Sequence, residues 1–415
     1  MKRKVLSFVL SAVMALGLLT GCGAGGGTEK TSDTAAATET QAKTNAETAA
    51  TEAAATEENT TASEENNTAA DDQKSDGDLQ VGIVLPTKDE PRWLQDQKQF
   101  ETILGDAGFS NQVLFSQGSS ATEKTNVETL ISQGIDVLII CAQDASAAAA
   151  SVEEAKAAGV TVIAYDRLIT GTDAVDYYVT FNSFAVGEAQ GQYLIDNAPE
   201  GKDIPLYLYA GAATDNNAFI FFEGAWSVLQ PKIADGTFKI ANSKEAEGLK
   251  DKADLSRDEL GKIIGQVTTD WDFNVAKSKA EANLTGASAE AKGDVLILAP
   301  NDGTSRSIAD VFATDKEVTN YVITGQDSEQ ASVQYIIDGK QSMTVFKDTR
   351  TLAADSVEMA VAILKGETPV TDVNYNNEVK DVPAKETPIL VVTKENLKEV
   401  LIDSGYYAEA EFTGL

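Results

Sequence analysis

The 415-residue chain has no histidine and only two cysteines, Cys22 and Cys141. Without histidine, its own side chains build no Ser–His–Asp triad, no His-ligated metal centre and no proximal-His haem. Two cysteines far apart in sequence make neither a disulfide framework nor a four-thiolate zinc site. Basic residues are scarce too: 33 Lys and Arg stand against 65 Asp and Glu, for a formal charge of −32. That surplus opposes nucleic acid, whose phosphates are held by Lys and Arg. Carboxylate, Lys or Tyr chemistry stays open, and so does binding without catalysis. The length suggests two or three units of roughly 150 residues each.

The charge is uneven along the chain. Residues 1–22 contain Lys2, Arg3 and Lys4 and no acid, whereas residues 23–78 hold 13 acidic and 3 basic side chains. The basic start, the apolar run from Val5 to Leu19 and the small residues before Cys22 form a secretory signal pattern. The run is short for a membrane-spanning helix. Residues 19–22 (LTGC) resemble a bacterial lipobox. The resemblance implies removal of residues 1–21 and lipidation of Cys22, and two acyl chains suffice for stable anchoring. An ordinary cleaved signal with an incidental cysteine is the alternative. Residues 23–78 lack Leu, Ile, Val, Met and aromatics. With nothing to bury, the stretch 22–78 is expected to be a disordered acidic tether rich in Thr, Ala and Glu. As a coil it would span roughly 40 Å.

From Gln80 onward, short apolar runs alternate with helical stretches that end at glycine. Strands are expected at 80–86, 112–115, 136–142, 160–165 and 177–181, with helices near 92–106, 123–133 and 145–158. A second set follows, with strands at 206–210, 239–241, 295–299, 321–324 and 343–346. Its helices are expected near 217–229, 273–284, 306–314, 329–337 and 349–365. This alternation indicates buried parallel strands in βαβ units. The fold class is α/β, with two doubly wound lobes. Cys141 falls within an apolar strand and reads as a buried thiol. The stretch 243–268, rich in Lys, Glu, Asp and Gly, reads as a surface excursion.

Ligands of open parallel sheets bind beyond the carboxyl ends of the strands. Polar residues gather there: Lys88, Arg92 and Trp93; Gln143 and Asp144; Asp166 and Arg167; Asn182. In the second set they are Asp215, Asn216 and Asn217; Asn301 and Asp302; Gln326 and Asp327; Lys347 and Asp348. Trp271 stands in a loop before a helix. An Asp or Asn at such a junction is also the usual helix N-cap. Together, however, carboxylates, amides and guanidinium groups make paired hydrogen bonds to neighbouring hydroxyls. Aromatic faces cover the C–H face of a sugar ring. The set suits a neutral polyol.

The fragments VGIVLPTKDEPRW (81–93), VIAYDRLI (162–169), VTFNSFAVGEAQG (179–191), TDNNAFIFFEGA (214–225), LAPNDGTS (298–305), ITGQDSE (323–329) and TVFKDTR (344–350) carry a resemblance. They resemble sugar-binding proteins of ABC importers in the periplasmic-binding-protein type I group, most of all the xylose-binding and multiple-monosaccharide-binding branch. The resemblance spans nearly all of 79–415 and implies two lobes joined by three crossings, near 182–183, 348–349 and 366–371. One lobe would hold 79–182 and 349–368, the other 183–348 and 369–415. Arg92, Asp166, Arg167, Asn217, Asn301, Asp327 and Lys347 would hydrogen-bond the sugar, with Asn216 competing with Asn217 in the alignment. Trp93 and Trp271 would stack on it.

The function so implied is an extracytoplasmic, lipid-anchored receptor that closes on a xylose-, glucose- or galactose-type sugar and delivers it to an ABC transporter permease. It would act as a monomer, without cofactor, metal, catalysis or nucleic acid. Presentation of the sugar to a sensor kinase or chemoreceptor is an alternative. A remote one is a glycoside hydrolase using Asp302 and Asp327 as paired carboxylates.

Overall fold

In a computed structural model, residues 79–415 are described. The signal, Cys22 and the tether expected in 1–78 lie outside the described residues. The first lobe is built on β1 (Val81–Leu85), β2 (Asn111–Phe115), β3 (Val137–Ile140), β4 (Thr161–Tyr165) and β5 (Tyr177–Phe181). These strands pair in parallel in the order β5-β4-β3-β1-β2. Their side chains alternate between two cores. Val137, Ile139 and Cys141 face one; Leu138, Ile140 and Ala142 face the other. A strand apolar on both faces must be covered on both. Helices α1 (Pro91–Asp106), α2 (Ser120–Ser132) and α3 (Ala149–Ala157) do so.

The second lobe begins at α4 (Ser183–Asp196), capped by the Asn182 side chain, which accepts from Ala185 N. Its parallel sheet runs in the order β7 (Phe238–Ile240), β6 (Ile204–Leu208), β8 (Gly293–Leu298), β9 (Val318–Ile323). Flanking helices are α5 (Asn216–Ala234), α6 (Lys244–Gly248), α7 (Arg257–Val267), α8 (Phe273–Gly286), α9 (Asp302–Phe312) and α10 (Gln330–Ile337). Helix α4 has no expectation in the sequence reading. It crosses α5 so closely that a Cβ on Gly187 would lie 1.9 Å from Phe221 O, and one on Gly224 2.1 Å from Phe184 O. Only glycine permits that approach.

Strand β10 (Met343–Lys347) leads into α11 (Thr349–Leu364), whose Leu352, Ala353 and Val357 pack in a core of the first lobe. Two expectations are corrected here. The first is the boundary that assigned 369–415 to the second lobe. Strands β11 (Val373–Asn376) and β12 (Asp381–Thr387) complete the first sheet, β12 running parallel to β5. The third crossing therefore lies between β12 and β13 (Ile389–Thr393), which pairs antiparallel with β10. The open edge of β5 decides this. The β12 sequence DVPAKET, with Pro383 and three charges, is not an apolar run. The second is the surface excursion at 243–268. Helix α7 opens on a Ser256–Glu259 capping box and buries Leu260, Ile263, Ile264 and Val267 against Trp226.

Candidate functional site

Strand ends of both lobes converge on a cavity of about 310 Å³. The first lobe supplies Glu90, Arg92, Trp93, Asp166 and Arg167; the second supplies Asp215, Asn217, Phe221, Trp271, Asn301, Gln326, Asp327 and Lys347. Nine of the ten residues expected from the sequence are there. The tenth, Asn216, is not among the lining residues. It opens α5, and the next residue, Asn217, turns inward.

Local structure explains each placement. Pro91 starts α1 and puts Arg92 and Trp93 in its buried first turn, where a missing backbone N–H costs nothing. Asp166, just after β4, and Asp327, just after the bridge residue Gln326, are left-handed at φ 62° and 97°, and Trp271, in the loop between α7 and α8, is left-handed at 58°. Such conformations in non-glycine residues are strained, and they concentrate at ligand sites. Trp271 also needs Gly211, where a Cβ would lie 2.0 Å from its ring. Phe221 meets Trp271 edge to face, with centroids 6.4 Å apart.

The charges are interlocked. Arg92 Nη2 donates to Asp166 Oδ2 at 2.6 Å, and its other nitrogens lie 3.4 Å from Asp96 and 3.7 Å from Asp327. Lys347 Nζ is 2.7 Å from Asp327 Oδ1. Arg167 Nε pairs with Asp215 Oδ2 at 3.0 Å, across the two lobes. Asn217 Nδ2 donates to Asp166 O at 2.7 Å, also across them. The lobes are thus in contact at the cavity, and the structure is a closed one. Arg92 and Arg167 lie 4.4 Å and 5.4 Å from the Trp93 ring, within cation–π range.

Burial works against every one of these charges, and the partners decide the outcome. Burial would raise Asp166, but Arg92 and Lys347 outweigh it and hold the carboxyl below its usual range. Burial raises Asp215 despite Arg167. Burial pushes Glu90 up to about 7, with Arg167 opposing. Behind the cavity, burial raises Asp96 to about 6, opposed by Arg92 and by a hydrogen bond from Tyr165.

Four carboxylates, Glu90, Asp166, Asp215 and Asp327, face three cations, Arg92, Arg167 and Lys347. Most of this charge is already paired inside the wall, so the cavity asks for hydrogen-bonding capacity and not for a net charge. Several buried atoms have none of it filled. Asn217 Oδ1, Gln326 Oε1 and Trp271 Nε1 have no hydrogen-bond partner among the described residues. Buried polar groups without partners are costly, and a polyhydroxylated guest would fill them. Asn301 caps α9, its Oδ1 accepting from Thr304 N at 3.3 Å. Its amide nitrogen is then the donor available to a guest.

Glu90, Asp215, Phe221 and Gln326 also line the cavity, beyond the ten residues expected to contact the sugar, although Asp215 and Gln326 are among the polar strand-end residues of the sequence. Asp215 doubles as the α5 N-cap, which hides its second role. Phe221 sits one turn after Asn217, a spacing that shares one helix face. Nothing local marks Glu90. By contrast, Asp302 is fully buried outside the cavity lining. Its Oδ1 accepts from Gln341 Nε2 at 2.8 Å and its Oδ2 from Glu329 N at 2.9 Å. The pairing of Asp302 with Asp327 across a substrate is thereby corrected: Asp302 is committed to holding the 325–329 loop.

Residues 81–368 match the family model described as periplasmic binding protein domain. The multiple sugar-binding periplasmic protein SbpA of Azospirillum brasilense is 36% identical over 340 residues, 80% of this chain and 90% of that protein. The D-xylose-binding periplasmic protein of Escherichia coli K12 is 30% identical, over 80% of this chain and 92% of that one. Among solved structures, a carbohydrate-transporter solute-binding protein of Chloroflexus aurantiacus in complex with D-glucose is 66% identical. It superposes with a TM-score of 0.80 over 81% of this chain and 99% of that one.

Proposed function

This chain belongs to the periplasmic binding protein type I family, and from that premise we propose that it encloses one monosaccharide between its lobes and delivers it to an ABC importer. The observation that carries this reading is the make-up of the cavity. Internally paired carboxylates and cations, amides with unfilled hydrogen-bonding atoms, and indole rings meet in a space between two lobes. Carboxylates accept from sugar hydroxyls, guanidinium and ammonium groups donate to them, and indole faces cover the ring's C–H face. The sugar-binding residues are Arg92, Trp93, Asp166, Arg167, Asn217, Trp271, Asn301, Asp327 and Lys347, joined by Glu90, Asp215, Phe221 and Gln326.

The mechanism is hinge closure. Each lobe supplies part of the donor set, so a sugar satisfies the full set only when the lobes meet. It favours the closed state by its differential contacts with that state. Capture and release break no covalent bond. Family membership and the signal-like N-terminus support an extracytoplasmic location. The LTGC motif supports a lipid on Cys22, with residues 22–78 as the tether between membrane and receptor. Xylose, glucose and galactose are the sugar types proposed; xylose and glucose are named for relatives of this chain.

Calorimetric titration with xylose, glucose, galactose, arabinose and ribose tests the reading. At least one of them is expected to bind with one-to-one stoichiometry. Silence across the panel would remove the monosaccharide assignment.

A further inference from the structure

A second chamber lies against the sugar cavity. It is a cleft open to solvent, with about 920 Å³ of space counted out to its mouth. Glu90, Arg167 and Trp271 line both chambers, so they are the partition between them. Thr87, Gln117 and Gln143 come from the first lobe; Asp270, Asp272 and Asn274 come from the second. The chamber is thus another cleft between strand ends, further from the core than the first.

The partition is unequal in stiffness. Arg167 is buried and held by Asp215 Oδ2 at 3.0 Å and by Ala142 O at 3.2 Å. Glu90 and Trp271 are only half-buried. Glu90 stands at the N-cap of α1 without making a side-chain cap bond. Of the two, Glu90 is the side chain able to move aside, because the Trp271 ring is seated against Gly211 and Phe221. Trp271 lines both spaces, and it is positioned by two successive left-handed residues, Asp270 and Trp271, at φ 53° and 58°. On the opposite wall Gln117 is left-handed too, at φ 53°. Both walls of the outer chamber therefore hold strained turns, the kind of conformation that clusters at ligand clamps.

The chemistry of the outer chamber selects its guest. Apart from the shared Arg167, no lining residue carries a positive charge, and Asp89, Asp270 and Asp272 are acidic. An anionic group is disfavoured there. Two glutamines, an asparagine and a threonine offer donors and acceptors for neutral hydroxyls, and Phe273 adds an aromatic edge beside Trp271.

We propose that the outer chamber is a second sugar subsite, so that the protein accepts a disaccharide whose terminal ring occupies the inner cavity and whose next ring lies in the outer chamber. The glycosidic oxygen would pass between Glu90 and Trp271. This inference rests on the reading of the inner cavity as a monosaccharide site.

Titration of the full chain with glucose, xylose, cellobiose, xylobiose and maltose tests it, together with the variants Gln117→Ala and Asn274→Ala. Both residues are exposed and line only the outer chamber. A disaccharide of a sugar that binds is expected to bind within about tenfold of the free sugar. Each variant should weaken that disaccharide by about fivefold, through lost hydrogen bonds, and leave the monosaccharide within about twofold. Monosaccharide binding with no disaccharide binding at millimolar concentration would overturn the subsite alone. So would variants that shift both ligands equally. Absence of binding by every sugar would overturn the monosaccharide reading and the subsite with it.

Discussion

Three carboxylates converge on Arg92: Asp166 at 2.6 Å, Asp96 at 3.4 Å and Asp327 at 3.7 Å. The guanidinium, itself buried, is held charged well above its ordinary range because these acids outweigh its burial. Its fork geometry allows one residue to brace two lobes and still present donors. Arg92→Ala would leave buried acids unpaired, a loss of about 3–5 kcal/mol in comparable buried pairs. Asp327→Ala would strip Lys347 of its partner 2.7 Å away. Both variants are expected to weaken sugar binding at least about tenfold, the loss of a charged hydrogen bond. Circular dichroism should keep its native shape and Arg92→Ala should melt earlier. Wild-type affinity in both would remove the site assignment. Residue type was readable at these positions and partnership was not. Asp215 looks like any N-cap until Arg167 is seen 3.0 Å away.

The elements carry their own balance of burial against charge. The first turn of helix α2 carries Glu123, which is 1% exposed. Its Oε2 accepts from Gln143 N at 2.7 Å and from Ser116 Oγ at 3.3 Å, tying the helix to the ends of β3 and β2. Burial nonetheless pushes its pKa up from 4.5 to about 7. The folded state then binds this proton more tightly than the unfolded one, so the contribution is full below pH 4.5 and lost as pH rises to about 7. Stability should fall over that window, by up to roughly 3 kcal/mol from this group. Glu90, raised to about 7, and Asp96, raised to about 6, act in the same direction. Glu123→Gln is expected to flatten the fall of melting temperature between pH 5 and pH 8, measured by calorimetry. An unchanged slope would show that Glu123 is ionised at no cost. Element legibility followed apolar periodicity. The strands of both sheets, β11 and β12 apart, announce themselves as short apolar runs. Helix α4 does not, because Gly187 and Gly191 replace apolar side chains at its contact with α5. Helix α7 was readable in principle: Ser256 and Glu259 form a capping box before a helical run of Leu260, Ile263, Ile264 and Val267. Charged residues before and within it dilute that periodicity.

At the scale of the whole molecule, closure is made by a few contacts. Arg92 reaches Asp327, Arg167 meets Asp215, Asn217 Nδ2 donates to Asp166 O, Ala145 N donates to Thr214 O at 2.9 Å, and Tyr406 Oη donates to Gln95 Oε1 at 2.9 Å. These few polar contacts bridge the lobes, so a bridging sugar adds substantially to them. The melting temperature should rise with sugar, by the equivalent of about 2.7 kcal/mol at a hundredfold excess over Kd. Small-angle scattering should show a smaller radius of gyration with sugar than without. Equal radii would mean that the free protein is already closed, and hinge closure would fall. The net charge of −32 plays no part in this balance. A charge of this size and sign favours solubility and disfavours nucleic acid, while the cavity keeps its own charges nearly paired.

The sequence by itself determined the α/β class, most strands and nine of the residues that line the cavity between the lobes. These depend on local periodicity and on residue type at strand ends, both of which are written in single segments. Only the tertiary structure decided that β11 and β12 close the edge of the first sheet, because strand pairing is set by which edge is free and not by the strand alone. Only it brought Glu90 and Phe221 into the cavity, dismissed Asn216 and turned Asp302 from a candidate acid into a brace for its loop. Each of those outcomes depends on the distance between atoms far apart in the chain, which no local pattern encodes.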